Sequence, residues 1–496
     1  MDSTANSFIF LPLFLLPPLF WLILNYIKSR NQSLPPGPKP WPIVGNLPQI
    51  GSKPHVALAQ LAQDYGPLIS LRLGSQLVVV GSTPAAATEI LKTHDRILSG
   101  RHVPHVSYAK SPLMNYVSVG WTYECTDQWR FLRTLCKSEI LGAKVIENQS
   151  HLREQKANEL VQFLVSKEGQ RIKIAEVVFV SVFNFLGQIF FSKDFISYDE
   201  VENGGGMSEL IREVMELWTA PNISDLYPVL GGLDLQRLSK KASVCHNKIC
   251  SAWQEIIRER RGKKYQDSTR QKDFLDVLLQ NDFSDDQINY LHLELFAAGS
   301  DTSTSTVEWA MAELLRNPKF LDMIRQELDQ IEFSGENVIK ESDLTRLPYL
   351  QACVKEILRL HPPAPLLLPR RATETCQVMN YTIPMGTQVL VNVWAIGRDP
   401  NIWEDPSSFN PERFLSCNLD FKGNDFEFLP FGAGRRMCPG LPMAARQVCL
   451  TLASLIYHFE WSLPDNMLPQ HMDMSEKFGI TLQKEQPLVI MLSRRK

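Results

Sequence analysis

No two cysteines in this chain stand at C-x2-C spacing, and the nine present are scattered from Cys125 to Cys449 over 496 residues. That pattern argues against a zinc ribbon or a disulfide framework and suits a reducing compartment. Cys245 and Cys250 flank His246, but a second ligand pair at zinc spacing is missing. A basic excess is also missing: the formal net charge is −3, which removes the electrostatic footprint of a nucleic-acid-binding protein. No acidic block, low-complexity linker or fixed-period repeat interrupts the chain beyond residue 50. One large domain is therefore expected rather than several.

Charge is absent for longest between Phe8 and Ile27 (FIFLPLFLLPPLFWLILNYI). A helix of that length rises about 30 Å, enough to cross a bilayer core, and membrane helices tolerate its prolines. A cleaved signal peptide needs a positive start and a small-residue cleavage site. Here Asp2 precedes the run, while Lys28 and Arg30 follow it. A retained anchor over residues 1–30 is expected, with the body on the cytosolic side. The sequons at Asn31, Asn148, Asn222 and Asn380 then stay unmodified. Residues 31–50 are proline-rich (LPPGPKPWP from Leu34), which favours an extended, stiff hinge. Residues 51–496 form the remaining domain.

Within that domain, Leu68–Leu73 and Gln76–Val80 read as a hairpin across Gly74-Ser75. From about residue 140 to 360 the pattern is mostly helical, with loops at 203–206 and 262–272, and Gln388–Val393 adds a later strand. A mainly helical body with small sheets at its edges is the expected fold class.

Three separated stretches carry chemistry. The first is Phe431-Gly432-Ala433-Gly434-Arg435-Arg436-Met437-Cys438-Pro439-Gly440, ahead of a helix-like run from Leu441. Its glycines let the backbone approach a flat macrocycle closely. A cysteine thiolate pushes electron density onto a haem iron, and Arg436 is a partner for a propionate. The second is Tyr349–Leu360, an amphipathic helix stopped by His361-Pro362-Pro363. Glu356 and Arg359 share one of its faces, and Arg413 of the later Asn410-Pro411-Glu412-Arg413-Phe414 run offers a further cation. The third, Leu295–Thr304, sits inside one long helical pattern weakened by Gly299 and a Ser/Thr run. Small Ala298 and Gly299 leave room there for dioxygen and substrate, while Asp301 and Thr302 supply groups for a proton relay.

Together these stretches resemble the cysteine loop, E-x-x-R, P-E-R-F and A/G-G-x-D/E-T elements of cytochromes P450. The resemblance implies a cytochrome P450 fold, mainly α with small β-sheets, preceded by one N-terminal transmembrane helix. It implies haem b with Cys438 as the iron ligand, Phe431 in its loop, and Glu356, Arg359 and Arg413 as a structural triad. Trp129 and Arg133 match the family's W-x-x-x-R element, and Arg370 matches a further propionate position. Electrons from NADPH then arrive through NADPH–cytochrome P450 reductase at the endoplasmic reticulum membrane. Arg130, Lys137, Arg435 and Arg446 are candidates for its docking face. A haem-thiolate isomerase and a haem sensor are alternative classes, but the Asp301-Thr302 pair favours oxygen activation.

Leu34–Asn46, Glu89–Ile97, Ser305–Ala312, Glu374–Pro384 and Asp473–Leu488 resemble a plant alkaloid-oxidising group within that family. It includes N-methylcoclaurine 3′-hydroxylase, corytuberine synthase, berbamunine synthase and littorine mutase. A benzylisoquinoline-type small aromatic amine is the implied substrate. Intramolecular C–C phenol coupling stands slightly ahead of 3′-hydroxylation, and tropane-type rearrangement is the alternative. The pocket is expected to be lined by Arg101–Tyr123 (with His102, His105, Tyr108, Tyr116 and Tyr123), Asp301, Ala364–Leu368 and Phe478–Thr481.

Overall fold

The computed structural model describes residues 33–107, 114–202, 206–262, 272–331 and 338–495. The apolar run Phe8–Ile27, Tyr108 and most of the loops expected at 203–206 and 262–272 lie outside the described residues.

The centre of the fold is the helix Asp285–Arg316, started by a capping box between Ser284 and Gln287. Its weak stretch stays helical under tertiary packing, with the hydroxyls satisfied by folding back onto the helix. Ser300 donates to the Phe296 carbonyl at 2.7 Å, and Thr302 and Thr306 donate to Ala298 and Thr302 at 2.8 Å. The helices Ile174–Phe191, Pro348–Leu360 and Leu441–His458 pack against it. Ile174–Phe191 is apolar and long enough to cross a bilayer, yet it is largely buried as a core helix. Gly299 belongs to this packing rather than to the cavity: a Cβ there would lie 2.9 Å from Leu186 Cδ1. The expected space for dioxygen therefore falls to Ala298 alone.

The hairpin forms as Leu68–Leu73 and Gln76–Gly81, and Gln388–Val391 joins its second strand in parallel. Arg370–Arg371 and Gly100–Arg101 extend the same sheet antiparallel, with Arg101 in register opposite Arg370. Asn392 ends the Gln388 strand early by capping a short helix, Val393–Ile396. The proline-rich segment is extended and docked on the sheet: the Pro36 carbonyl accepts from Ser70 N at 2.9 Å, and that of Pro35 from Ser70 Oγ at 2.6 Å.

Glu356 and Arg359 are fully buried on Pro348–Leu360. They form a bidentate pair at 2.7 and 2.8 Å, and Arg413 adds a third contact to Glu356 at 3.0 Å. Arg359 also donates to the carbonyls of Gly397, Pro406 and Ser408, so one side chain gathers a loop of irregular chain. Phe414 then packs at a tilt against Phe428 at 4.9 Å, and Phe421 meets Phe431 edge-on at 5.4 Å. The charge network is thereby continued, through aromatic contacts, to the start of the cysteine loop. Glu356→Gln keeps the shape but leaves Arg359 buried without a counter-charge. We expect a loss of about 3–5 kcal/mol in unfolding free energy, read as a lower urea midpoint.

His292 is buried among Phe190, Phe191 and Phe274, with Phe191 at 4.4 Å between ring centres. Burial pulls its imidazole down to about 3. The unfolded chain therefore binds a proton here that the folded chain refuses, and stability falls as pH drops from about 6.5 toward that value. At pH 4 the loss is on the order of 3 kcal/mol, and His292→Leu is expected to flatten that part of the stability–pH curve.

Candidate active site

One cavity lies between the Asp285–Arg316 helix and the cysteine loop, and Cys438, Ala298 and Thr302 all line it. Gly434 adopts φ +71° and fits only without a side chain, since a Cβ would lie 2.3 Å from the Leu91 carbonyl oxygen. Cys438 N donates to the Phe431 carbonyl at 3.0 Å, closing the turn, and Phe431 itself lines the cavity. Cys438 is open to the cavity although it sits deep in the protein. Burial pushes its thiol up, while the backbone N–H groups of Gly440 and Leu441 and the charge of Arg133 pull it down.

Four guanidiniums, of Arg101, Arg133, Arg370 and Arg436, line the same cavity. Arg436 donates to the carbonyls of Ser99, Val119 and Thr122. Arg370 donates to Leu98 and Ala433 and pairs loosely with Asp95 at 3.5 Å. Arg101 reaches the Gly120 and Leu368 carbonyls at 2.9 and 2.8 Å, and Arg133 reaches that of Met437. Burial, then repulsion from Arg436 and Arg370, holds the Arg101 guanidinium well below its usual range. Arg436 is pulled down to about 10, chiefly by burial. Cations crowded into a buried edge with so little anionic partner call for a ligand carrying more than one negative charge. Haem b answers that description: two propionates for the guanidiniums and an iron for the thiol.

The sequence-based site residues divide into groups. Cys438, Arg436, Arg370, Arg133, Phe431 and Thr302 converge on the cavity. Trp129 is close but turned away: its indole N–H donates to the Val119 carbonyl at 3.0 Å, and Arg436 and Arg133 lie 4.6 and 5.4 Å from its ring centre. It supports the arginines rather than lining the site. Asp301 is not among the lining residues either; its carboxylate accepts from Gln483 Nε2 at 3.0 Å. Burial pushes that carboxyl up, against Thr481, Arg212 and Gln483. Glu356, Arg359 and Arg413 form the remote network already described.

Of the expected pocket segments, Ala364, Leu367 and Leu368 and, at the other wall, Ile480 are present. The polar aromatic lining is corrected. Described lining residues of the 101–123 loop are Arg101, Val119, Gly120 and Trp121. Tyr116 is exposed and accepts from Gln287, while His105 lies against Gly231. Arg101 begins the expected pocket loop but is not among the expected cofactor-binding residues, because no local motif marks it as a partner of Arg370; its signal is the strand register opposite that residue. Among the basic surface candidates, Arg130 pairs with Asp127, Arg435 with Asp95 and Arg446 with Glu341.

If the guanidinium edge holds propionates, Arg101→Gln should lower haem affinity about tenfold or more, measured by haem transfer to apomyoglobin. The haem-free protein should gain little or no instability, because the same change relieves cation repulsion.

Comparison with known proteins agrees with this geometry. A family model described as Cytochrome P450 matches residues 35–491. The chain is 51% identical to a probable (S)-N-methylcoclaurine 3′-hydroxylase isozyme 2 of Coptis japonica, over 96% of this chain and 97% of that protein. It is 49% identical to (S)-N-methylcoclaurine 3′-hydroxylase isozyme 1 of Papaver somniferum, over 96% and 98%. Corytuberine synthase of Coptis japonica is 46% identical, over 97% and 99%. The chain thus belongs to the cytochrome P450 family of haem b enzymes, which draw electrons from NADPH through a reductase.

Proposed function

We propose that the protein is a monooxygenase of benzylisoquinoline-type alkaloids, acting by aromatic 3′-hydroxylation. The observation that carries this reading is full-length similarity to the two hydroxylases, at 51% and 49% identity. That reverses the order drawn from motifs alone, where phenol coupling stood first. Intramolecular C–C coupling is kept as the second reading because of corytuberine synthase at 46%.

A haem bound at Cys438 supplies oxygen activation by an iron with an electron-rich thiolate ligand. Arg101, Arg133, Arg370 and Arg436 hold its propionates, with Trp129 as the platform that keeps Arg436 and Arg133 in place. Thr302 brings a hydroxyl to the cavity; its hydrogen rests on the Ala298 carbonyl and its oxygen remains free to accept. Asp301 is next to Thr302 in the chain, buried, with burial pushing its carboxyl up and Gln483 Nε2 donating to it at 3.0 Å, and it is the second residue of the proton relay. Trp121, Trp218 and Met215 give the chamber an apolar, aromatic wall suited to an arylamine.

Phe8–Ile27 is a single-pass anchor in the endoplasmic reticulum membrane, followed by the proline-rich 31–50 segment, whose Pro35 and Pro36 dock on the sheet of a cytosolic catalytic domain. Exposed Trp41, Ile43, Val229, Leu233 and Leu235 support a membrane-facing side. Their segments adjoin, with Tyr227 Oη donating to the Ile43 carbonyl at 2.9 Å. The surface bearing Arg130, Lys137, Arg435 and Arg446 receives the reductase.

Microsomes carrying this protein and a P450 reductase, supplied with NADPH, labelled dioxygen and N-methylcoclaurine, should yield a product with one labelled oxygen. Thr302→Ala should give on the order of tenfold less product per NADPH consumed. An unlabelled product lacking two hydrogens would replace hydroxylation by coupling. Failure to turn over any benzylisoquinoline would sink the alkaloid assignment.

A further inference from the structure

Among the described residues that line the cavity, Glu294 is the only acidic one. It lies on the Asp285–Arg316 helix, two turns before Thr302, and none of the chemistry above uses it. Both of its oxygens are committed to one turn of the opposite wall. Oε2 accepts from Ser118 Oγ and Oε1 from Gly120 N, each at 2.6 Å. Gly120 permits the approach, since a Cβ there would stand 3.1 Å from Oε1. Ser118 Oγ in turn accepts from Trp121 N at 2.7 Å, so the carboxylate acts on the tryptophan through one hydroxyl. Trp121 meets Trp218 edge-on at 6.2 Å, and both line the chamber.

The far side of the same turn is already held. The Val119 carbonyl accepts from Arg436 and Trp129, that of Thr122 accepts from Arg436, and that of Gly120 accepts from Arg101. The turn is thus clamped between the guanidinium edge and the long helix. Glu294 is buried and feels Arg436 electrostatically, but its hydrogen bonds go to the turn and not to that cation. Burial pushes its carboxyl up, and the Ser118 and Gly120 donors pull it back. A side chain so placed controls a distance: the gap between helix and turn equals its reach.

We propose that Glu294 is a specificity-determining positioning residue, setting how far the 118–121 turn enters the cavity and hence which ligands the chamber admits. The inference rests on this cavity being the ligand chamber of a P450, and it stands apart from the alkaloid assignment. Its test therefore uses haem ligands of two sizes, imidazole and 4-phenylimidazole, titrated by the Soret shift of the haem-loaded full chain. Glu294→Asp shortens the clamp by one methylene, and Ser118→Ala removes one of its two bonds. Expected is a weakening of 4-phenylimidazole, about tenfold for Glu294→Asp and less for Ser118→Ala, with imidazole affinity unchanged. The reduced carbon monoxide spectrum should also stay unchanged, since Cys438 and the arginines are intact. Unchanged affinity for both ligands would overturn the proposal, as would equal loss for both, which marks general damage. If Glu294→Asp retains no haem, Ser118→Ala is judged by the same two outcomes. Absence of alkaloid turnover in the wild-type protein would count against the alkaloid assignment and leave this result standing.

Discussion

One buried carboxylate, Glu356, pairs with two guanidiniums and thereby fixes the irregular chain that leads to the cysteine loop. Irregular segments cannot satisfy their own carbonyls, so they need donors from elsewhere. Arg359 provides them to Gly397, Pro406 and Ser408, and can be buried in that role only because Glu356 cancels its charge. A buried ion pair is a poor source of net stability, since desolvation offsets most of the Coulomb gain. Its value here is geometric: a bidentate fork has one good orientation, and the loops attached to it inherit that orientation.

A second electrostatic constraint sits at the cavity edge. Arg101, Arg133, Arg370 and Arg436 are held mainly by backbone carbonyls, which orient the guanidiniums without cancelling their charge, and only Arg370 has a loose carboxylate partner among them, Asp95 at 3.5 Å. Such an arrangement is preorganised for an anionic ligand, because ordering and desolvation of the cations are completed in folding. The same backbone turn, 118–122, is touched by this edge on one side and by Glu294 on the other. The guanidinium edge and the opposite cavity wall are therefore tied to two faces of one short segment.

Motifs whose partners lie close in sequence, or on one helix face, were readable in advance. Glu356 with Arg359 and the Gly-rich turn around Cys438 are of that kind, because helical spacing and turn chemistry bring those groups together locally. Arg101, expected only as the start of a pocket loop, joins the guanidinium edge through its strand register with Arg370, a pairing across 269 positions. Gly299 suggested open space, but its missing side chain serves the approach of Leu186. Asp301 and Thr302 are adjacent, yet successive helical positions face different ways: Thr302 meets the cavity and Asp301 meets Gln483. The polar aromatics of the 101–123 loop suggested a pocket lining for the same reason that any surface loop would. Burial, which composition does not reveal, instead selected Val119, Gly120 and Trp121.

By itself the sequence determined the family, the glycine-rich turn around Cys438 and the charged scaffold of Glu356 and Arg359, since each depends on fixed residue types at short spacing. The tertiary structure alone decided which side chains face the ligand. That choice follows from strand register, helix rotation and the glycine contacts that set how closely elements pack, and none of these is a property of one segment. Glu294 shows the difference most plainly: in the sequence it is one more acid in a helical run, and in the fold its length spans the distance between two walls.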